Sequence, residues 1–172
     1  MDLDQPEQNE KLIEQFGRQI LVPGIDEKGQ DRLSKRKIII IGLGALGTIA
    51  SQYLIRAGIG EVHLIDPDKI EKSNLHRQIN YNLDDIGKLK VDVSKNKLQN
   101  INDISNIKVF PISFDQYTNN NLIDDCDLIF DCTDSHQNKI FSSKYCKRNF
   151  IPFISISINS SEGIYFSQNY QS

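Results

Sequence analysis

Along the chain, apolar runs and amphipathic stretches take turns. Residues 37–42 read Lys-Ile-Ile-Ile-Ile-Gly, a continuous β-branched run that suits a strand covered on both faces. From Ala45 to Ala57 the apolar residues Leu46, Ile49, Ala50, Tyr53 and Leu54 recur at helical spacing, which predicts an amphipathic helix. Glu61 to Asp66 predicts the next strand. The pattern continues with a helix over 89–101, a strand over 107–112, a short helix over 119–125 and a strand over 127–131. A helix over 138–148 and a strand over 152–158 follow, with 164–166 as one last strand. Such alternation implies right-handed crossovers. The fold class is therefore α/β, a Rossmann-like doubly wound, mostly parallel sheet with helices on both faces. Residues 1–36 break the rhythm and predict an N-terminal helical extension: a polar helix near 6–16, a turn at Val22-Pro23-Gly24 and another short helix. Residues 37–172 then form the sheet domain.

Composition narrows the classes. The 172 residues carry 20 Lys and Arg against 23 Asp and Glu, a net charge of −3, which argues against a general nucleic-acid binder because phosphate contacts need a cationic excess. No apolar run approaches the roughly 18 residues of a membrane span. The acidic start, Met1-Asp2-Leu3-Asp4, is neither a secretory signal nor an Arg-rich transit peptide. Cys126, Cys132 and Cys146 are odd in number and contain no C-x-x-C pair, so a disulfide framework is not expected and neither is zinc on this chain. A cytoplasmic protein is the expectation.

Gly42-Leu43-Gly44-Ala45-Leu46-Gly47 is G-x-G-x-x-G directly after a buried strand and opening a helix. In that setting Gly42 permits the tight turn, Gly44 lets backbone approach phosphate oxygens, and Gly47 allows close helix–strand packing. Free N–H groups of the helix start then face an anion. Asp66, ending the second strand, stands where a ribose-hydroxyl acceptor is expected. This much does not separate NAD from ATP. Downstream come Asp66-Pro67-Asp68, Ser73-Asn74-Leu75-His76-Arg77-Gln78, Gly87-Lys88-Leu89-Lys90 and Asp131-Cys132-Thr133-Asp134. An amide, two cations and carboxylates around a triphosphate equip phosphoryl or nucleotidyl chemistry. Hydride transfer would leave Arg77, Lys90 and Asp134 idle.

With Phe16-Gly17-Arg18-Gln19 and Gly29-Gln30 ahead of them, these motifs occur in an order that resembles the ThiF/MoeB/HesA family of ubiquitin-activating-enzyme-like adenylyltransferases, from about residue 13 to 166. Gly-Ala-Leu-Gly stands where that family usually has Gly-Gly-Leu-Gly. The resemblance implies that residues 37–172 are an ATP-binding adenylation domain. It implies that Asp66 binds the ribose hydroxyls and that the Gly44 loop lines the pocket. Asn74, Arg77 and Lys90 would contact phosphates, and Asp134, assisted by Asp68, would hold Mg²⁺. Arg18 would reach into the other active site of a homodimer. The implied reaction is attack of a C-terminal glycine carboxylate on the α-phosphorus of ATP, the partner being a ubiquitin-like sulfur carrier or a peptide. A carboxylate with a pKa near 3.5 is already ionised at pH 7, so no general base is needed. Family members continue beyond the segment matching Ser161-Glu162-Gly163 with antiparallel strands and, in many, C-x-x-C zinc pairs, so the C-terminal antiparallel part is expected to lie outside these residues. A nucleotide-binding pseudoenzyme or scaffold subunit is therefore the alternative.

The remaining polar residues have plainer readings. His63 is expected to be packed in its strand, His136 to be exposed at a helix start, and Cys132 and Cys146 to be buried and inert. His76 fills a variable slot of its motif. Lys35-Arg36-Lys37 reads as a solvated face. Asp134 could equally cap the helix that follows it.

Overall fold

A computed structural model describes residues 13–123 and 125–170. Six strands form one sheet in the order β3-β2-β1-β4-β5-β6. They are β1 (Lys37–Ile41), β2 (Glu61–Ile65), β3 (Asn106–Phe110), β4 (Leu128–Asp131), β5 (Phe153–Asn159) and β6 (Glu162–Gln168). The α-helices lying wholly within the described residues are α1 (Asp26–Ser34), α2 (Ala45–Arg56), α3 (Lys90–Gln99), α4 (Phe114–Asn119) and α5 (His136–Asn149). Strands β1 to β5 run parallel, and β6 returns antiparallel along β5.

The unbroken isoleucine run of β1 follows from its central place. Alternate side chains point to opposite faces of a strand, and here both faces are core. Ile38 and Ile40 pack with Ile55 of α2 and with Val91 and Leu98 of α3. Ile39 and Ile41 pack on the other face with Phe114 and Tyr117 of α4 and Cys146 of α5. Helices therefore cover both sides, as a doubly wound sheet requires. No helix among the described residues is long and apolar enough to cross a membrane.

Two elements differ from the sequence reading. The short helix expected at 119–125 lies earlier, at Phe114–Asn119. Its start is set by Ser113, whose N–H donates to the Gln116 Oε1 at 3.1 Å, an S-x-x-Q capping box, and it buries Phe114 and Tyr117. The asparagine run 119–121 ends it, with Asn121 at φ 53°. The last strand spans seven residues and is antiparallel, so antiparallel pairing begins within these residues. A tight turn with Ser160 at φ 54° makes the reversal.

Of the N-terminal arm, residues 13–16 are helical, and the earlier part of the expected helix, Leu12 included, lies outside the described residues. Phe16 is 2% exposed. Its ring sits so close over Gly58 that a Cβ there would lie 2.8 Å from it. The Gln19 side chain donates to the Ala57 carbonyl at 2.9 Å and to the Gln30 Oε1 at 2.7 Å. The arm thus packs on its own chain, on the turn that ends α2. Ile13 and Leu21 of the arm are exposed.

Candidate functional site

The sheet order places the switch point between β1 and β4: the chain leaves β1 toward β2 and β3, then returns to the other side of β1. Ligands of open α/β sheets bind at such a crevice, beyond the carboxyl ends of the strands. The glycine loop leaves β1 there. Gly42 has φ +85°, and a Cβ on it would meet Thr133 at 3.1 Å. A Cβ on Gly47 would lie 1.8 Å from the Gly42 carbonyl oxygen, so helix α2 starts against the loop with no room for a methyl. The D-C-T-D segment is consequently in contact with the loop.

Asp66 organises the same loop. It is 4% exposed; its Oδ2 accepts the Leu43 N–H at 2.6 Å and its Oδ1 the Asp68 N–H at 2.8 Å. Burial pushes its carboxyl above the ordinary range against the pull of Lys90 and these N–H groups. A carboxylate has about four acceptor sites, so two remain for further donors. The Lys90 ammonium, at the start of α3, lies 2.7 Å from Asp68 Oδ2 and 3.9 Å from Asp66 Oδ2.

Asn74 is buried, and its Oδ1 accepts the Glu71 N–H at 3.0 Å, closing the 3₁₀ turn Lys72–Asn74. That leaves its amide nitrogen as the group to donate outward. Arg77 is exposed and folded onto its own turn, donating to the Ser73 carbonyl at 3.0 Å. Asp134 is exposed and has no hydrogen bond or ion pair among the described residues. The helix cap is instead Ser135, whose Oγ accepts the Asn138 N–H at 3.3 Å. Glycine loop, Asp66, Asp68, Lys90 and the Asp134 segment thus converge. Arg18 does not join them. It is exposed on the arm that packs at Ala57–Gly58, the far end of a 12-residue helix that rises about 18 Å from the loop.

Several residues without an assigned role prove structural to the site. Asp131, fully buried, accepts from the Thr133 N–H at 2.9 Å and the Thr133 hydroxyl at 2.7 Å. This sets the turn that presents Asp134. The Lys139 ammonium lies 3.6 Å from the same carboxylate and donates to Ser155 Oγ and the Ile156 carbonyl. The D-x-T pattern, which favours such an Asx turn, was the available signal. Gln78, the last residue of the S-N-L-x-R-Q motif, is 4% exposed and lies against Gly44. Tyr81 touches the loop from beneath; no sequence pattern announced it. Burial, then the Asp131 charge, pushes the Cys132 thiol up to about 12, and burial likewise pushes Cys146 to about 12, so neither forms a thiolate near neutrality. His63 is buried between Glu61 and Tyr117. Among the described residues no three His, Cys, Asp or Glu side chains cluster as a metal-binding group.

This fold and this loop define a Rossmann-like α/β protein. The ThiF family matches residues 16–170, and the chain belongs to that family. It is 36% identical over 138 residues to a probable molybdopterin-synthase adenylyltransferase of Gracilaria tenuistipitata var. liui, covering 80% of this chain and 39% of that protein. It is 35% identical to the molybdopterin-synthase adenylyltransferase of Haemophilus influenzae, covering 81% of this chain and 58% of the other. Against the sulfur carrier protein adenylyltransferase of Thermus thermophilus the identity is 32%, covering 72% and 45%. Among solved structures, Escherichia coli MccB with ATP superposes with a TM-score of 0.73 at 33% identity, covering 80% of this chain and 42% of that one. Escherichia coli TcdA, a tRNA N6-threonylcarbamoyladenosine dehydratase, gives 0.78 at 27% identity, covering 84% and 60%. The chain spans roughly two to three fifths of the length of these proteins.

Proposed function

We propose that this chain carries the ATP site of an adenylyltransferase that activates the C-terminal glycine carboxylate of a ubiquitin-like sulfur carrier or a peptide. The observation that carries the reading is the placing of Asp134. It is exposed and without a partner among the described residues, one residue beyond the Thr133 that abuts Gly42, so a carboxylate stands beside the glycine loop, whose N–H groups suit an anion.

In this reading Asp66 accepts from the ribose hydroxyls, Gly42, Gly44 and Gly47 shape the phosphate cradle, and Asn74, Arg77 and Lys90 hold the phosphates. Arg77 must unfold from the Ser73 carbonyl to do so. The donor set fits Mg²⁺, which takes one or two carboxylates and completes its shell with phosphate oxygens and water. Asp134 would be its main ligand, with Asp68 assisting. When bound, the ion neutralises phosphate charge and favours the leaving pyrophosphate. The substrate carboxylate forms a new bond to the α-phosphorus while the bond to the bridging oxygen breaks, and pyrophosphate leaves with that electron pair. Arg77 and Lys90 reduce the repulsion between the two anions. The acyl-adenylate is the product.

Arg18, beyond reach of its own loop, completes the partner's site in a homodimer in this reading, and two-fold symmetry makes the loan reciprocal. Mixing inactive Arg18→Ala and Asp134→Ala subunits should recover roughly a quarter of wild-type exchange if the subunits pair at random. No recovery despite subunit exchange refutes the crossing. For the function itself the test is ATP–pyrophosphate exchange with sulfur-carrier proteins or peptides ending in glycine. Asp134→Ala should abolish exchange while the melting temperature stays within about 2 °C, an exposed side chain being worth little to the fold. MgATP binding without exchange on any such carrier favours the scaffold reading instead.

A further inference from the structure

We propose that Tyr81 is a positioning residue for the triphosphate, acting through the Leu43–Gly44 peptide of the glycine loop. This rests on the nucleotide site described above. Tyr81 is 6% exposed, and its hydroxyl donates to the Leu43 carbonyl at 2.8 Å. A carbonyl can only accept, so the phenol proton is committed to it. The same phenol oxygen lies 3.2 Å from the hydroxyl of Ser94 on α3, and the Asn80 amide donates to that hydroxyl at 3.1 Å. Because Asn80 supplies the proton on one side, Ser94 is free to donate onward. The result is a one-way chain, Asn80 to Ser94 to Tyr81 to Leu43, in which each bond polarises the next. Burial pushes the Tyr81 phenol above its ordinary range, so it remains a donor at any working pH.

The consequence lies one atom further on. A trans peptide is planar, with its C=O and N–H pointing opposite ways, and no peptide among the described residues is cis. With the Leu43 carbonyl turned onto Tyr81, the Gly44 N–H points the opposite way, away from the phenol. The preceding peptide, Gly42–Leu43, is held separately, its Leu43 N–H donating to Asp66 at 2.6 Å. The two peptides that flank the Leu43 Cα are therefore each anchored, one through its N–H and the other through its carbonyl. The Gly44 N–H itself has no hydrogen bond among the described residues, and it opens onto the start of α2. A donor fixed before the ligand arrives costs no reorganisation when the anion binds. Without the phenol the buried Leu43 carbonyl is left unpaired, and the peptide can rotate to satisfy it.

Tyr81→Phe keeps the ring and removes the bond. Titration of the whole chain with MgATP and, separately, with adenosine distinguishes positioning from mere support. MgATP affinity should fall about 3- to 10-fold, the worth of one neutral hydrogen bond, while adenosine affinity holds. The Gly44 amide resonance, which MgATP shifts in the wild type, should respond weakly in the variant. Ser94→Ala should give a smaller fall of the same kind, and it serves if the phenylalanine variant does not fold. Equal losses for MgATP and adenosine, or no loss for either, overturn the inference while leaving the nucleotide site standing. A wild-type chain that binds no MgATP overturns both.

Discussion

The second and third glycines of the loop, Gly44 and Gly47, should fail in different ways when a single methyl is added. At Gly47 the new Cβ would stand 1.8 Å from the Gly42 carbonyl oxygen and 3.3 Å from Cys132 Cβ. Ordinary carbon–oxygen contact begins near ~3.3 Å, so α2 and the loop must separate by roughly 1.5 Å. The loop cannot yield freely, since the Gly42 N–H is bonded to the Ile65 carbonyl at 2.8 Å and the Leu43 N–H to Asp66. Overpacking typically costs about 1–3 kcal/mol, and a clash with backbone belongs at the upper end. For a domain of this size about 3 kcal/mol lowers the melting temperature by roughly 6–12 °C. At Gly44 the nearest atom to an added Cβ is Gln78 Nε2 at 3.7 Å, and φ is −76°, which any residue adopts. Alanine there removes freedom from the unfolded chain and stabilises by about 0.4–1 kcal/mol, yet places a methyl at the mouth of the cradle. Thermal unfolding with and without MgATP reads both effects. Gly47→Ala should melt early, and Gly44→Ala should melt at or slightly above wild type with most of its MgATP-induced shift gone. A Gly47→Ala protein melting within about 2 °C of wild type, or a Gly44→Ala protein as unstable as it, would refute the packing argument.

Three further outcomes follow from the same structure. His63 is held below its ordinary pKa, first by burial and then by the Lys37 and Lys108 charges, against the pull of Glu61. The unfolded chain therefore takes up a proton near pH 6.5 that the native state resists, and stability should be flat above pH 6.5 and fall below it. Burial works to raise the Glu61 carboxyl, but the bonds from His63 and Lys108 hold it at about 2, which adds to the loss between pH 4.5 and about 2. Melting curves across pH 8 to 5 should show a shallower slope in His63→Gln than in wild type, and equal slopes would remove His63 from the account. Phe16→Ala should cost about 3–5 kcal/mol by emptying the pocket over Gly58, measured by denaturant unfolding; a loss under about 1 kcal/mol would mean the arm is not docked as described. Thiol titration of the folded protein at pH 8 should leave Cys132 and Cys146 unmodified, and fast labelling of either would contradict their burial.

The succession of elements was legible in the chain because period and composition report burial directly. Four consecutive isoleucines in β1 can be sheltered only where both faces of a strand are covered, and Gly42 to Gly47 announced a tight strand-to-helix turn by itself. The asparagine run draws the expected start of α4 too far along the chain, whereas the Ser113–Gln116 capping box sets it at Phe114. What only the tertiary structure decided was partnership. Asp131 and Asp134 are indistinguishable as letters of D-C-T-D, yet one is sealed in the core orienting Thr133 and the other is exposed beside the glycine loop. Asp66, expected to face a ribose, also holds the Leu43 N–H, and Tyr81, silent in sequence, holds the Leu43 carbonyl from a segment 38 residues away. Such pairings depend on which strand ends the sheet order brings side by side. A local pattern encodes how a segment folds and which of its faces is buried, but not which distant atom arrives to meet it.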